Sequence, residues 1–197
     1  MGKNRKANPV VVTVSGLTPL IVESKILIYP TDTVYGIGCN AYREDLVLRV
    51  FEIKKRLLTK PVSVIAPSVE WIYENCMVEG FLQENAIKTY LPGPYTLILK
   101  KKDKSFLSLA TASGSTVGVR MLDTKIQKII AKAKVPFITT SANISGDARV
   151  LRRLSSLKKE LKEKVDYIVL GNANEMSFKS STIVDLSKGK EKQTERN

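Results

Sequence analysis

Residues 29–38 read YPTDTVYGIG and follow directly on the apolar run KILI at 25–28. Pro, Asp and Gly suffice to end a strand in a turn, so the additional hydroxyls are groups that a ligand could use. Three more polar stretches lie at or beside the ends of strand-like runs: STVGVR (115–120), TTSANISG (139–146) and SST (180–182). In open α/β sheets, ligands collect in crevices beyond strand ends. If the four stretches converge, they supply hydroxyl and amide hydrogen bonds with Arg120 among them. Lys54 and Arg56 of the triplet KKR (54–56) would add two cations able to hold phosphate, the lysine as a point charge and the arginine as a fork. Each element also has a plainer reading. Thr31 and Asp32 could cap a turn, Lys54 and Arg56 could complement a helix dipole, and Ser141 and Asn143 could open a loop.

What is absent narrows the chemistry. The chain has no histidine, which removes every His-dependent triad and the commonest metal ligand. Asp32, Asp123, Asp147 and Asp185 are scattered, with no acid pair at a useful spacing for glycosidase or protease work. There is no GxxxxGK[ST], and the lone GIG at 36–38 is weak evidence for phosphate binding. A site of cations, hydroxyls and backbone amides works by positioning and charge stabilisation. That suits phosphoryl or nucleotidyl transfer.

The elements that must position these residues alternate along the chain. Strands are expected at 9–14, 25–30, 61–66, 95–102 (exposed or at an edge), 117–121, 136–142, 166–171 and 181–186. Helices are expected at 44–57, 68–76 (begun by a serine cap), 79–91, 124–134 and 151–165, the last strongly basic. LTPLIVES (17–24) is short and β-branched, a weak helix former. The pattern indicates an α/β (α+β) fold, a mixed β-sheet flanked by helices. The expected organisation is a disordered 1–8, one domain over 9–187 and a charged tail at 188–197.

Of the 197 residues, 32 are Lys or Arg and 19 are Asp or Glu, a formal charge of +13. Such a surface favours polyanions such as nucleic acid and nucleotide phosphates. Basic tails account for part of the excess, but KKR, KKKDK (100–104) and the run at 149–164 are internal. Cys39 and Cys76 lack metal-ligand spacing and read as free thiols in a reducing, cytoplasmic setting. No apolar run approaches the roughly 20 residues of a membrane span, and no h-region follows the basic N-terminus.

Taken in order, YPTDTVYGIG, KKR, LPGPYTLIL, VGVR, TSANISG and STIVDL resemble the motifs of the YrdC family of threonylcarbamoyl-adenylate synthases, over roughly residues 25–186. The resemblance implies a twisted mixed sheet with a large basic concave cleft. It also implies a reaction in which L-threonine, bicarbonate and ATP (with Mg2+) give threonylcarbamoyl-AMP and pyrophosphate. A downstream threonylcarbamoyl transferase, KEOPS-type or its bacterial equivalent, would carry the product to tRNA, and the basic cleft would be a place for a tRNA contact. By the same resemblance, Lys54 and Arg56 hold ATP phosphates and stabilise the departing pyrophosphate, and Thr116 and Asn143 lie at the nucleotide. Thr33, Arg120, Ser141 and Ser181 hold threonine.

The chain departs from the family pattern at several points. Leu57 replaces the proline after the KxR arginine, Ile65 stands where many members carry a histidine, and no LRxG segment follows STIVDL. An RNA-binding module of YrdC-like fold is the alternative that the charge supports, and a relative that binds nucleotide without turnover is a third.

Overall fold

The computed structural model describes residues 8–147, 151, 153–171 and 176–195. The expected disordered segment therefore falls, but for residue 8, outside the described residues, as do parts of the basic run and the last two residues of the tail.

Ten strands are described: β1 (Val10–Thr13), β2 (Leu27–Tyr29), β3 (Gly36–Gly38), β4 (Ser63–Ile65), β5 (Tyr95–Lys100), β6 (Thr116–Arg120), β7 (Phe137–Ser141), β8 (Tyr167–Leu170), β9 (Thr182–Asp185) and β10 (Lys192–Thr194). They form one sheet in the order β1-β8-β2-β3-β7-β4-β6-β5-β9-β10. The pairs β1/β8, β2/β8, β4/β6 and β5/β9 are parallel, and the other neighbours antiparallel. The sheet is thus mixed, as the sequence pattern indicates.

Six α-helices flank it: α1 (Pro19–Ser24), α2 (Glu44–Ile53), α3 (Val69–Asn75), α4 (Phe81–Tyr90), α5 (Lys125–Ala133) and α6 (Lys159–Lys162). The period-two alternation of β2 decides which side each residue serves. Ile28 joins Ile37, Val50, Phe51 and Trp71 in the larger core, whereas Leu27 and Tyr29 pack with Val22, Ile126, Ile130 and Phe137 beneath α1 and α5.

Five elements differ from expectation. Residues 19–24 are helical because Thr18 caps the Ile21 N–H with its hydroxyl (3.4 Å) and Pro19 takes the first helical position, where its missing N–H costs nothing. β5 is no edge strand: β6 and β9 flank it, and Thr96, Leu97 and Leu99 are buried. The GIG triplet is strand β3, not a phosphate loop. A Cβ on Gly38 would stand 1.8 Å from the Ile138 carbonyl oxygen, so the residue is glycine to let β7 approach.

The expected helix at 151–165 is broken in its described part. It is a 3-10 turn (Leu154–Ser156), extended backbone at Leu157, and then the single turn of α6. Leu154, Leu157 and Leu161 each reach the core from these short pieces, and serines lower helix propensity between them. The charged residues 192–194 pair with β9 as β10.

Candidate active site

The PTDT turn is pinned from within. Thr31 Oγ1 donates to the Val34 carbonyl (2.7 Å) and accepts the N–H groups of Thr33 and Val34 (3.1 Å each). With its one proton spent on Val34, Thr31 must be the acceptor in its 2.9 Å contact with the Thr33 hydroxyl. The segment ahead of β9 closes over the same turn, Ser177 N–H donating to the Asp32 carbonyl (3.1 Å) and Phe178 N–H to that of Thr33 (2.9 Å). The surplus hydroxyls therefore begin as architecture, and Thr31 is wholly used in that role.

Arg120 ends β6 and reaches across to this turn. Its Nη2 donates to Asp32 Oδ1 at 2.6 Å, with the side chains only 8% and 10% exposed, and both Nη1 and Nη2 lie 3.4 Å from Thr33 Oγ1. Burial pushes the Asp32 carboxyl up by more than the guanidinium draws it down. Nearby, the Tyr29 hydroxyl donates to Thr139 Oγ1 (2.8 Å), and burial raises the phenol well above its usual range. Ser181 shares a buried hydroxyl contact of 2.8 Å with Thr96.

The KKR triplet is placed by the end of α2. Lys55 N–H donates to the Glu52 carbonyl and Arg56 N–H to that of Phe51, with Lys55 at φ +52°. This is the Schellman arrangement, here with lysine where glycine usually stands. It sends its two neighbours different ways. Arg56 donates Nε to the Lys60 carbonyl (3.0 Å) and Nη2 to that of Pro61 (2.7 Å), and lines the cavity. Lys54 turns inward, 1% exposed. Its Nζ donates to the Ser141 carbonyl, to the Asn143 carbonyl (2.6 Å) and to Asn143 Oδ1 (3.3 Å). Burial, with a smaller contribution from the Arg56 charge, pulls its ammonium down to about 7.

These elements enclose a cavity of about 240 Å³ on the sheet. Thr33, Arg56, Arg120, Ser141 and Ser181 line it, so four of the separate motifs and the KxR arginine meet there. Lys54, Thr116 and Asn143 are not among the lining residues. Thr116 opens β6 opposite Lys100. Asn143 holds its own loop, accepting the Ser141 hydroxyl (2.7 Å) and donating to the Asp147 carbonyl.

Ser63 and Thr96, which no motif marks, also line the cavity, as does Thr139, which opens the polar stretch 139–146 but carries no assigned role in the sequence reading. They sit inside strands whose spacing shows nothing unusual, and the register that pairs Ser63 with Thr139 brings two of them together. Gly118 keeps this floor open, since a Cβ there would lie 2.9 Å from Ser63 Oγ. Among the described residues no cluster of three acidic, histidine or cysteine side chains could hold a metal, and no helix is long and apolar enough to cross a membrane.

Fold and site together define an α/β ligand-binding domain, with a hydroxyl- and arginine-lined basin over a mixed sheet. The family model Sua5_yciO_yrdC, described as "Telomere recombination", matches residues 20–196, and the chain belongs to that family. A relative from Methanocaldococcus jannaschii is 36% identical over 171 residues, 86% of this chain and 78% of its own length. The threonylcarbamoyl-AMP synthase of Pyrococcus abyssi is 32% identical over 168 residues, 85% of this chain. The chain spans about half (48%) of that synthase's length. The crystal structure of Pyrococcus abyssi Sua5 complexed with L-threonine superposes with a TM-score of 0.81 at 28% identity, covering 95% of this chain and 56% of the other.

Proposed function

We propose that this chain makes L-threonylcarbamoyl-adenylate and pyrophosphate from L-threonine, bicarbonate and ATP, for the threonylcarbamoyladenosine modification of tRNA. The observation that carries the reading is the meeting of Thr33, Arg56, Arg120, Ser141 and Ser181 around one cavity. The family, and the activity for which the Pyrococcus abyssi relative is named, support it.

The cavity divides the labour. Pockets for whole drug-sized ligands run to about 300–1,000 Å³, so about 240 Å³ suits the amino-acid end, with the triphosphate extending past Arg56 at the rim. Arg120 takes the threonine carboxylate, while Thr33, Ser141 and Ser181 offer hydroxyls around it. Condensation of the threonine amine with bicarbonate releases water and leaves a carbamate, whose anionic oxygen attacks the α-phosphate as the bond to the β-phosphate breaks and pyrophosphate leaves. It needs no histidine base, only orientation and a preorganised positive charge at the leaving pyrophosphate. Arg56, already held by two backbone carbonyls, supplies that charge. Lys54 acts one step back by fixing the Ser141–Asn143 loop. Magnesium enters with the nucleotide as part of the substrate. The product passes to a separate threonylcarbamoyl transferase, and reaction and hand-over belong to the cytoplasm.

The test is pyrophosphate release from ATP with threonine and bicarbonate supplied together and singly. Release is expected only with both. Release that ignores threonine would overturn the assignment.

A further inference from the structure

The Asp32–Arg120 pair is built unlike a structural ion pair. An arginine and a carboxylate buried for stability usually meet as two parallel N–H···O bonds, which satisfies both partners. Here a single contact of 2.6 Å joins Nη2 to Oδ1. Asp32 Oδ2 and Arg120 Nε are both buried without a hydrogen-bond partner. The guanidinium nonetheless lines the cavity, and Asp32 stands behind it, outside the lining. A guanidinium buried with no anion at all would be costly, so an empty basin needs a resident negative charge.

We propose that Asp32 is the resident counter-anion of Arg120, a built-in carboxylate that keeps the guanidinium placed in the empty basin and that the substrate carboxylate must share or displace. The inference rests on the reading of the cavity as a threonine site. Asp32 is a positioning residue: it acts through Arg120 and touches no reacting atom. It lowers affinity for the substrate carboxylate, because two carboxylates then share one cation, and in return it holds that cation ready.

Proton linkage follows. The charged or titratable groups facing Asp32 are Arg120 from β6, Asp123 from the turn after it, and Tyr29 from β2. Tyr29 titrates far above the range concerned. Protonating Asp32 removes the competitor, so threonine should bind more tightly as pH falls through the carboxyl range.

The experiment is calorimetric titration of L-threonine into the full chain and its Asp32→Asn, Asp32→Ala and Asp123→Asn variants between pH 4.5 and 8, with thermal melts to verify folding. Asparagine retains an acceptor for Nη2 but not the charge. Asp32→Asn is expected to bind threonine about tenfold more tightly than wild type at pH 8, the scale of one pKa unit of like-charge repulsion. That gap should close toward pH 4.5. Asp32→Ala, lacking the acceptor, should bind more weakly than Asp32→Asn. The wild type's own rise in affinity at low pH tests the idea without any variant and should persist in Asp123→Asn.

Equal or weaker binding by Asp32→Asn at pH 8, or a wild-type affinity flat with pH, overturns the inference. So does loss of the pH dependence in Asp123→Asn. Wild-type protein that binds no threonine at all overturns the functional reading and this inference with it. Binding without a gain in Asp32→Asn overturns this inference alone.

Discussion

Two cations are buried beside the basin, and they are neutralised in opposite ways. Arg120 has a carboxylate within 2.6 Å. Among the described residues Lys54 has no acidic side chain on it, and it is held by the dipoles of the Ser141 and Asn143 carbonyls and the Asn143 amide oxygen. The arginine is matched by a full opposite charge, whereas the lysine, solvated only by dipoles, is pulled down to about 7. A fixed charge is thus kept where a ligand must be gripped. A charge that can be given up is spent on holding a loop.

The comparison breaks most visibly at Arg120. Arg120→Ala leaves Asp32 buried and unpaired, and should cost about 3–5 kcal/mol of stability as well as abolishing threonine-dependent pyrophosphate release. Chemical denaturation and the release assay measure the two losses separately. A variant that stays within about 1 kcal/mol of wild type would show that Asp32 is not left as an uncompensated buried charge.

Arg56→Ala should separate activity from stability. Loss of one preorganised donor at a developing negative charge lowers turnover by about 10²–10³-fold. The fold should change much less, since the two carbonyls that Arg56 holds lie in a loop that water can reach. Arg56→Lys should not rescue, because a point charge cannot reproduce the fork that spans the Lys60 and Pro61 carbonyls.

Lys54 sharpens the contrast through pH. Its folded pKa of about 7 lies below the ordinary 10.5 of the unfolded chain. Between those values the unfolded chain binds a proton that the folded chain has released, so this group makes stability rise with pH across that window. Lys54→Met should flatten the rise and, by orphaning buried carbonyls, cost about 1–3 kcal/mol near pH 7. Denaturation midpoints at a series of pH values decide the point, and an unchanged slope would remove Lys54 from the account.

The smallest effect is expected at Lys55. Its backbone is left-handed at φ +52°, a conformation that costs a side-chain-bearing residue energy and glycine almost none. Lys55→Gly should stabilise by up to about 1 kcal/mol. The exposed pair it loses with Glu160 (3.2 Å) contributes little. Activity should not move.

Much of this was legible in the sequence because the signals are local. Alternation and flanking turn residues mark most of the strands, Ser68 marks the start of α3, and acids in the first turn mark α2. Of the residues picked out by motif, Thr33, Arg56, Arg120, Ser141 and Ser181 meet at the basin, whereas Lys54, Thr116 and Asn143 do not line it. What could not be read was pairwise. That the Thr31 hydroxyl is consumed inside its own turn although Thr31 and Thr33 both line the cavity depends on which hydroxyl owns which proton. That Lys54 points inward while Arg56 points to the rim depends on a left-handed residue between them, at a lysine that no turn rule would choose. β5 looked like an edge strand because its polar positions alternate, and only strand order, a non-local property, places it inside the sheet.

Gly38 lies in the sheet interior and lines no part of the cavity, yet its lack of a side chain reaches the chemistry. With the Ile138 oxygen only 1.8 Å from where a methyl would sit, an alanine there is a wedge between β3 and β7. Prised outward, β7 would carry Thr139 off Ser63 and swing its terminal Ser141 away from the basin. Lys54 would lose its grip at the same moment. A single hydrogen atom, outside the cavity lining, thus sets the spacing of the whole far wall, and that position should tolerate substitution less well than several of the residues that line the basin.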